Sequence, residues 1–327
     1  MNVASGDKPR RPWVAALLAG VIPGLGHLYV GRLRPAILFA VVTPSPLLIA
    51  AVAGAYHPSL LLPLILIGVA LHVSFWIAAV VSALVLARRK RTSYELTRYN
   101  HAAVYAGFAL ASWIAGNVSA GYIRSSLVEP FRIPSGGMLP TLVPGDLVFA
   151  TKVGAQCQRG DVAVFKNPLQ ADVDFIQRII GLPGDRIRIE NGHVYLNGEE
   201  QPKRLVVPSY AFQLGFGDES ETEAGQVYEE TVEARPYRIL ERTTLCGRPQ
   251  NPACTFEGGR EFRVPPGHAF MMGDNRGNSA DSRFGFGAQG KSLEFVPIAN
   301  IKGRAVVIWL SFSLLEGIRW NRIGQTL

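Results

Sequence analysis

The sequence predicts a mainly β domain anchored by an N-terminal, multi-span α-helical membrane region. Three observations carry that prediction. The first 122 residues hold long apolar runs separated by short basic loops, and from residue 127 onward the pattern changes to short β-branched and aromatic runs broken by turn residues. The composition joins 48% hydrophobic residues and a mean hydropathy of +0.17 to 34 Gly and 22 Pro, which suits membrane spans plus a loop-rich β portion. A chain of 327 residues has room for about two domains. We expect a membrane region over 1–123 and a β domain over 124–327, with a variable insertion around 199–262.

The apolar segments come first. Residues 13–30 are interrupted by Ile22-Pro-Gly-Leu-Gly26, so they make a poor straight span. Basic residues precede this stretch, as in a secretory leader, but no small-residue cleavage site follows and further apolar segments do. Residues 35–55 and 60–87 are each long enough to cross a hydrocarbon core of about 30 Å. Residues 105–122 are shorter and rich in Ala and Gly. The expectation is three spans and one uncertain or re-entrant segment at 13–30.

Charge orients these spans. The net charge is +8. Residues 1–100 contain ten basic side chains against Asp7 and Glu95, which gives the whole +8, and the remaining 227 residues balance at 23 basic and 23 acidic. The excess is therefore a membrane-topology signal, and no nucleic-acid footprint is expected. Arg88-Arg-Lys-Arg91 marks a cytoplasmic loop, while the turn at His57-Pro58 carries no formal charge. The β domain is then expected on the outer face of the cytoplasmic membrane.

Within the β portion, residues 146–150, 161–165, 175–180, 186–189 and 193–196 read as strands. Asn191-Gly192 predicts a type I′ hairpin turn and Asn197-Gly198 another. The stretch 199–256 is more polar and acidic, with 237–240 as its clearest strand, and 302–312 is a strong apolar strand. Three cysteines are too few for a disulfide scaffold or an ordinary zinc site. Cys246 and Cys254 share one Pro/Gly-rich loop and could close a small disulfide in an oxidising compartment, which leaves Cys157 as a small buried residue. No metal or organic cofactor motif is visible, so none is expected.

Three segments carry chemistry: PFRIPSGGMLPTL at 130–142, DFIQRIIGLPGD at 174–185 and GDNRGNSADSR at 273–283. The first cannot continue a helix and reads as a strand running into a backbone-exposed loop. In this order, after a membrane anchor, the three resemble the signature segments of bacterial type I signal peptidases, membrane-bound serine endopeptidases with a Ser/Lys dyad. The resemblance implies that Ile133, Pro134 and Met138 lie along an extended substrate and that Ser135 lines the oxyanion site. It also implies that Ser279 hydrogen-bonds the catalytic lysine and that Asp281 and Arg283 form a buttressing ion pair.

Three positions depart from the pattern, two of them at the dyad. The family's nucleophilic serine falls at Gly137, and its general-base lysine falls at Gln177, directly before Arg178. Glycine has no side chain to attack with, an amide cannot take up the proton, and Arg178 is always protonated. Gly277 stands where the family usually has Asp. His193 and His268, on or beside predicted strands, read as structural. The expectation is a signal peptidase-like membrane protein without dyad chemistry, which binds signal peptides or partners an active peptidase or the secretion machinery. One alternative is an active peptidase using Ser135, and another is a scaffold or sensor whose function lies in the spans.

Overall fold

The computed structural model describes residues 9–90, 94–97, 99–153, 158–214, 221–242, 259–286, 293–313 and 316–327. The chain divides into two compact units, Met1–Val128 and Glu129–Leu327.

The first unit is helical: α1 (Pro12–Val21), α2 (Leu25–Tyr29), α3 (Leu33–Val42), α4 (Ser45–Tyr56), α5 (Leu61–Arg88) and α6 (Ala102–Tyr122). Among the described residues, three stretches are long and apolar enough to cross a membrane, Leu33–Tyr56, Pro58–Arg88 and Ala102–Leu127. Residues 13–30 break as expected, because Gly24 adopts φ +98° where an added Cβ would lie 2.2 Å from the Ala36 carbonyl oxygen. The span expected at 35–55 lies within Leu33–Tyr56 and is built of two helices that meet at Thr43-Pro44. Pro44 and Pro46 remove two helical donors there, and Ser45 Oγ donates to the Val42 carbonyl. Small residues let the helices approach closely. Ala15 and Ala19 of α1 pack with Ala83 and Ala87 of α5, and Gly68 of α5 lies against Ala50 of α4.

The second unit is mainly β. Its strands, with the last residue of the helical unit opening the first, are β1 (Val128–Arg132), β2 (Asp146–Thr151), β3 (Val162–Asn167), β4 (Gln170–Gly181), β5 (Arg186–Glu190), β6 (His193–Leu196), β7 (Glu199–Glu200), β8 (Lys203–Leu214), β9 (Glu221–Val232), β10 (Arg235–Glu241), β11 (Arg260–Arg263), β12 (His268–Met272), β13 (Val296–Pro297), β14 (Ile301–Ser313) and β15 (Gly317–Ile318). The largest sheet has the order β1-β2-β14-β3-β4-β12-β13, with β15 on β14. A four-stranded sheet runs β11-β5-β6-β7 and a three-stranded sheet β10-β9-β8.

The strands expected at 146–150, 161–165, 175–180, 186–189, 193–196 and 302–312 are all present. Asn191 and Gly192 turn at φ 49° and 77°, and Asn197 and Gly198 at 52° and 93°, as their side chains or lack of them permit. The region after 199 holds more structure than its sequence suggested, since β8 and β9 run for twelve residues each. Their apolar pattern is hidden by the register shifts of β8 around Val207 and by four glutamates in β9. Two of those glutamates, Glu223 and Glu230, are fully buried and paired with Arg242 and Arg276. Cys157, Cys246 and Cys254 lie outside the described residues.

One core joins the four-stranded sheet to β10 and β12 through Ile187, Val194, Ile239, Phe262 and Phe270. A second gathers Ile133, Met138, Leu142, Val148, Val162 and Ile308. The loop after β1 is thus held from beneath by its own apolar residues.

Candidate active site

The site forms where the loop after β1, the middle of β4 and the segment after β12 meet. β1 is extended by one more pair, Ile133 N–H donating to Asp146 and Gly145 N–H to Ile133. The chain then leaves the sheet. Pro134 and Ser135 are exposed, Gly136 is buried, Gly137 is half-buried and Met138 is 2% exposed. Ile133 and Met138 lie in the core and Ser135 at the surface.

Asn275 ties the loop down. Its backbone N–H donates to the Gly137 carbonyl at 3.0 Å and its Nδ2 donates to the Gly136 carbonyl at 3.0 Å. Asp274 N–H points at Met138 Sδ, 3.5 Å away. Gly273 makes this approach feasible, because a Cβ there would lie 2.1 Å from Ser279 Oγ and 2.6 Å from the Gly137 carbonyl oxygen.

Gln177 sits opposite Ala163 of β3, in a strand flanked on its other side by β12, and is 4% exposed. Its Nε2 donates to the Ala280 carbonyl at 2.7 Å and to Ser279 Oγ at 3.4 Å, while its Oε1 is buried without a hydrogen-bond partner. A Cβ placed on Gly137 would lie 4.0 Å from the same Ser279 Oγ and 3.7 Å from the Asn278 carbonyl oxygen. Gly137, Gln177 and Ser279 therefore converge, and the space beside Gly137 accepts a side chain. An ammonium at 177 would present donors to the same two acceptors and leave no orphan oxygen.

Asp281 is fully buried. It accepts from Arg283 Nε at 2.9 Å and Nη2 at 2.7 Å, and also from the backbone N–H of Gly273 at 3.0 Å. The pair fixes the segment that carries Ser279. Arg178 points to the other face of β4, where it forms a two-pronged pair with Asp274 at 2.8 and 2.6 Å and lies 4.2 Å over the Tyr237 ring. Burial works against its charge, but Asp274 outweighs burial and raises the guanidinium pKa, so Arg178 is no base.

Among the sequence-predicted residues, the structure brings Gly137, Gln177, Ser279, Asp281 and Arg283 together and leaves Pro134 and Ser135 exposed beside them. His193 pairs with Glu200, and His268 contacts the Pro266 carbonyl at 2.9 Å. Sequence reasoning missed Asn275 and Gly273, although both lie inside the 273–283 motif. It also missed Glu223, which accepts from Arg242 and from Asn278 Nδ2. A lone acid in a polar stretch carries no signal of this role. Gly277 belongs to the same arrangement, since a Cβ there would lie 2.9 Å from Arg242 Cγ.

Comparison with known proteins adds the family. Residues 108–310 match the model described as signal peptidase, peptidase S26. Signal peptidase I of Buchnera aphidicola subsp. Acyrthosiphon pisum is 32% identical over 267 residues, covering 66% of this chain and 81% of that protein. Signal peptidase I of Pseudomonas aeruginosa is 36% identical over 210 residues, covering 58% and 67%. That of Aquifex aeolicus is 33% identical over 209 residues, covering 58% and 78%. With the matched domain spanning more than half of its 327 residues, the chain belongs to the signal peptidase family, peptidase S26.

Proposed function

We propose that this chain binds the signal-peptide region of preproteins in extended form without cleaving it, working beside an active peptidase or the secretion machinery. The observation that carries this reading is the convergence of Gly137 and Gln177 on Ser279. A Ser/Lys peptidase needs a hydroxyl and a neutral amine at that point, and here there is backbone on one side and an amide on the other. By analogy with other serine peptidases, losing nucleophile or base leaves only about 10³ to 10⁴ over water from oxyanion stabilisation and binding. The frame for an extended substrate is retained: Ile133 and Met138 buried, Pro134 and Ser135 exposed, and the Asp281–Arg283 pair intact. Strand addition uses main-chain hydrogen bonds and needs no dyad.

The test is saturable binding of a fluorescent signal peptide to the full chain in proteoliposomes, with the peptide recovered whole by mass spectrometry. Ser135→Trp, which fills the exposed loop, should weaken binding about tenfold or more. Absence of saturable binding, or binding indifferent to Ser135→Trp, would contradict the reading.

A second reading rests on the exposed Ser135 hydroxyl as a nucleophile. Among the described residues, however, no histidine, lysine or carboxylate is hydrogen-bonded to it, so its activation has no visible source. Cleavage by the wild type that Ser135→Ala abolishes would favour this second reading over the first.

A further inference from the structure

The helical unit contains a buried cation that neither reading uses. Arg10 is 8% exposed, and its guanidinium lies between the rings of Tyr29 and Tyr94, 4.4 and 4.2 Å from their centroids. Nε and Nη2 are enclosed and have no hydrogen-bond partner, whereas Nη1 is not so enclosed. Among the described residues no carboxylate pairs with Arg10, and Glu95, the one acid of this unit described, is exposed.

The surroundings are built. Arg10 N–H donates to the Lys90 carbonyl at 3.1 Å, joining the start of α1 to the end of α5, and Arg11 N–H donates to Tyr29 Oη at 3.1 Å. Asn100 Nδ2 donates to the carbonyls of Leu28 and Tyr29 and to Tyr105 Oη, and its Oδ1 accepts from Tyr94 Oη and from Thr97. Gly31, at φ +74°, leaves room for Tyr94 Oη, which a Cβ would meet at 2.2 Å. Around this knot stand six exposed cations, Arg11, Arg32, Arg34, Arg88, Arg89 and Lys90, all at the end of the unit where α1 and α3 begin and α2 and α5 finish.

A buried guanidinium held only by ring faces recovers part of its lost hydration through cation–π attraction. Nη1, the nitrogen that is not enclosed, and the excess of cations among the described residues around it call for an anion. A guanidinium N–H donates a charge-assisted hydrogen bond to a phosphate oxygen, and the helix ends of a spanning unit lie at the depth of lipid phosphates. We infer that this end of the helical unit binds a phosphate-bearing anionic lipid headgroup, with Arg10 as the anchoring cation and the exposed cations as its rim.

The experiment uses the full chain in nanodiscs. Thermal stability and co-purifying lipid, counted by native mass spectrometry, are compared in phosphatidylcholine alone, in a phosphatidylglycerol mixture, and in phosphatidylcholine with added orthophosphate. The wild type should retain phosphatidylglycerol over phosphatidylcholine by about fivefold or more per contacting cation and melt higher in the mixture. Arg10→Gln should reduce that preference to near parity. Arg10→Lys, which keeps the charge but not the planar group held between the Tyr29 and Tyr94 rings, should fall between, and Arg263→Gln, an exposed cation of the β unit, should leave it unchanged. Equal retention of the two lipids by the wild type overturns the inference without any variant, as does an undiminished preference in Arg10→Gln. A stability gain from orthophosphate equal to that from lipid assigns the guanidinium to a soluble anion and overturns the lipid assignment.

Discussion

Three glycines of the site would meet different surroundings if each gained a methyl group. At Gly137 the nearest atoms are 3.7 and 4.0 Å away, so Gly137→Ser should change stability by no more than about 0.5 kcal/mol. At Gly273 the added carbon would overlap Ser279 Oγ and the Gly137 carbonyl, and Gly273→Ala should cost about 1–3 kcal/mol in a chemical melt. At Gly277 the contact is with the Arg242 side chain, so restoring the family's Asp displaces Arg242 from buried Glu223 and should cost a similar amount. A neutral Gly273→Ala would show that the segment carrying Ser279 is not packed against the Gly137 loop. Glu230 extends the argument to pH. Burial alone would raise its pKa, but Arg276 and the Tyr237 hydroxyl hold it below the ordinary 4.5, so its stabilisation is complete above about pH 4.5 and is lost as pH falls through the lower folded value. Glu230→Gln should destabilise by roughly 3–5 kcal/mol at neutral pH, because Arg276 is left buried and unpaired. The variant should also show a flatter acid limb than the wild type when unfolding is followed from pH 6 to about pH 3.

At the scale of elements, the sheet of β8, β9 and β10 is stitched to the site by more than packing. Leu240 N–H donates to the Asp274 carbonyl and Arg276 N–H to the Leu240 carbonyl, and Asn275 continues the chain to Gly137. Glu223 of β9 holds Asn278, and Leu214 of β8 packs its methyls 3.1 Å from where a Gly136 Cβ would be. Glu223→Gln should therefore speed hydrogen exchange at the amides of Asn275 and Asn278, while the amide of Val164 in β3 stays slow. Equal rates in wild type and variant would mean that the site segment is held without this sheet. Legibility in the sequence follows the same division. Strands with one face in the core, such as β2 and β6, alternate and were readable, as were the Asn-Gly turns. β9 was not, because its buried glutamates Glu223 and Glu230 pair with Arg242 and Arg276 from other segments, and β8 was not, because none of its residues is fully buried and its register shifts around Val207, none of which a local pattern records. The break at Thr43-Pro44 falls inside an apolar run long enough to span, and length alone does not reveal it.

On the scale of the whole molecule, two units divide the work: among the described residues, a helical one with three stretches able to cross a membrane, and a β one whose buried charged groups pair with one another or with nearby charged side chains. The site motifs were legible because each is local in sequence: 130–142, 174–185 and 273–283 supply nearly every residue that converges on Ser279. Topology is open to direct test. Single cysteines at Lys90 and Ser209, introduced after replacing the native three, should be labelled by an impermeant maleimide from opposite faces of the membrane, position 209 from outside. Labelling of both from one face would contradict the proposed orientation. The central claim, that a peptidase frame persists here without its dyad, is tested most directly by cleavage of a preprotein in membranes by the wild type beside Gly137→Ser/Gln177→Lys. The account predicts an inert wild type and an active double variant. Cleavage by the wild type, or a well-folded double variant with no activity, would contradict it.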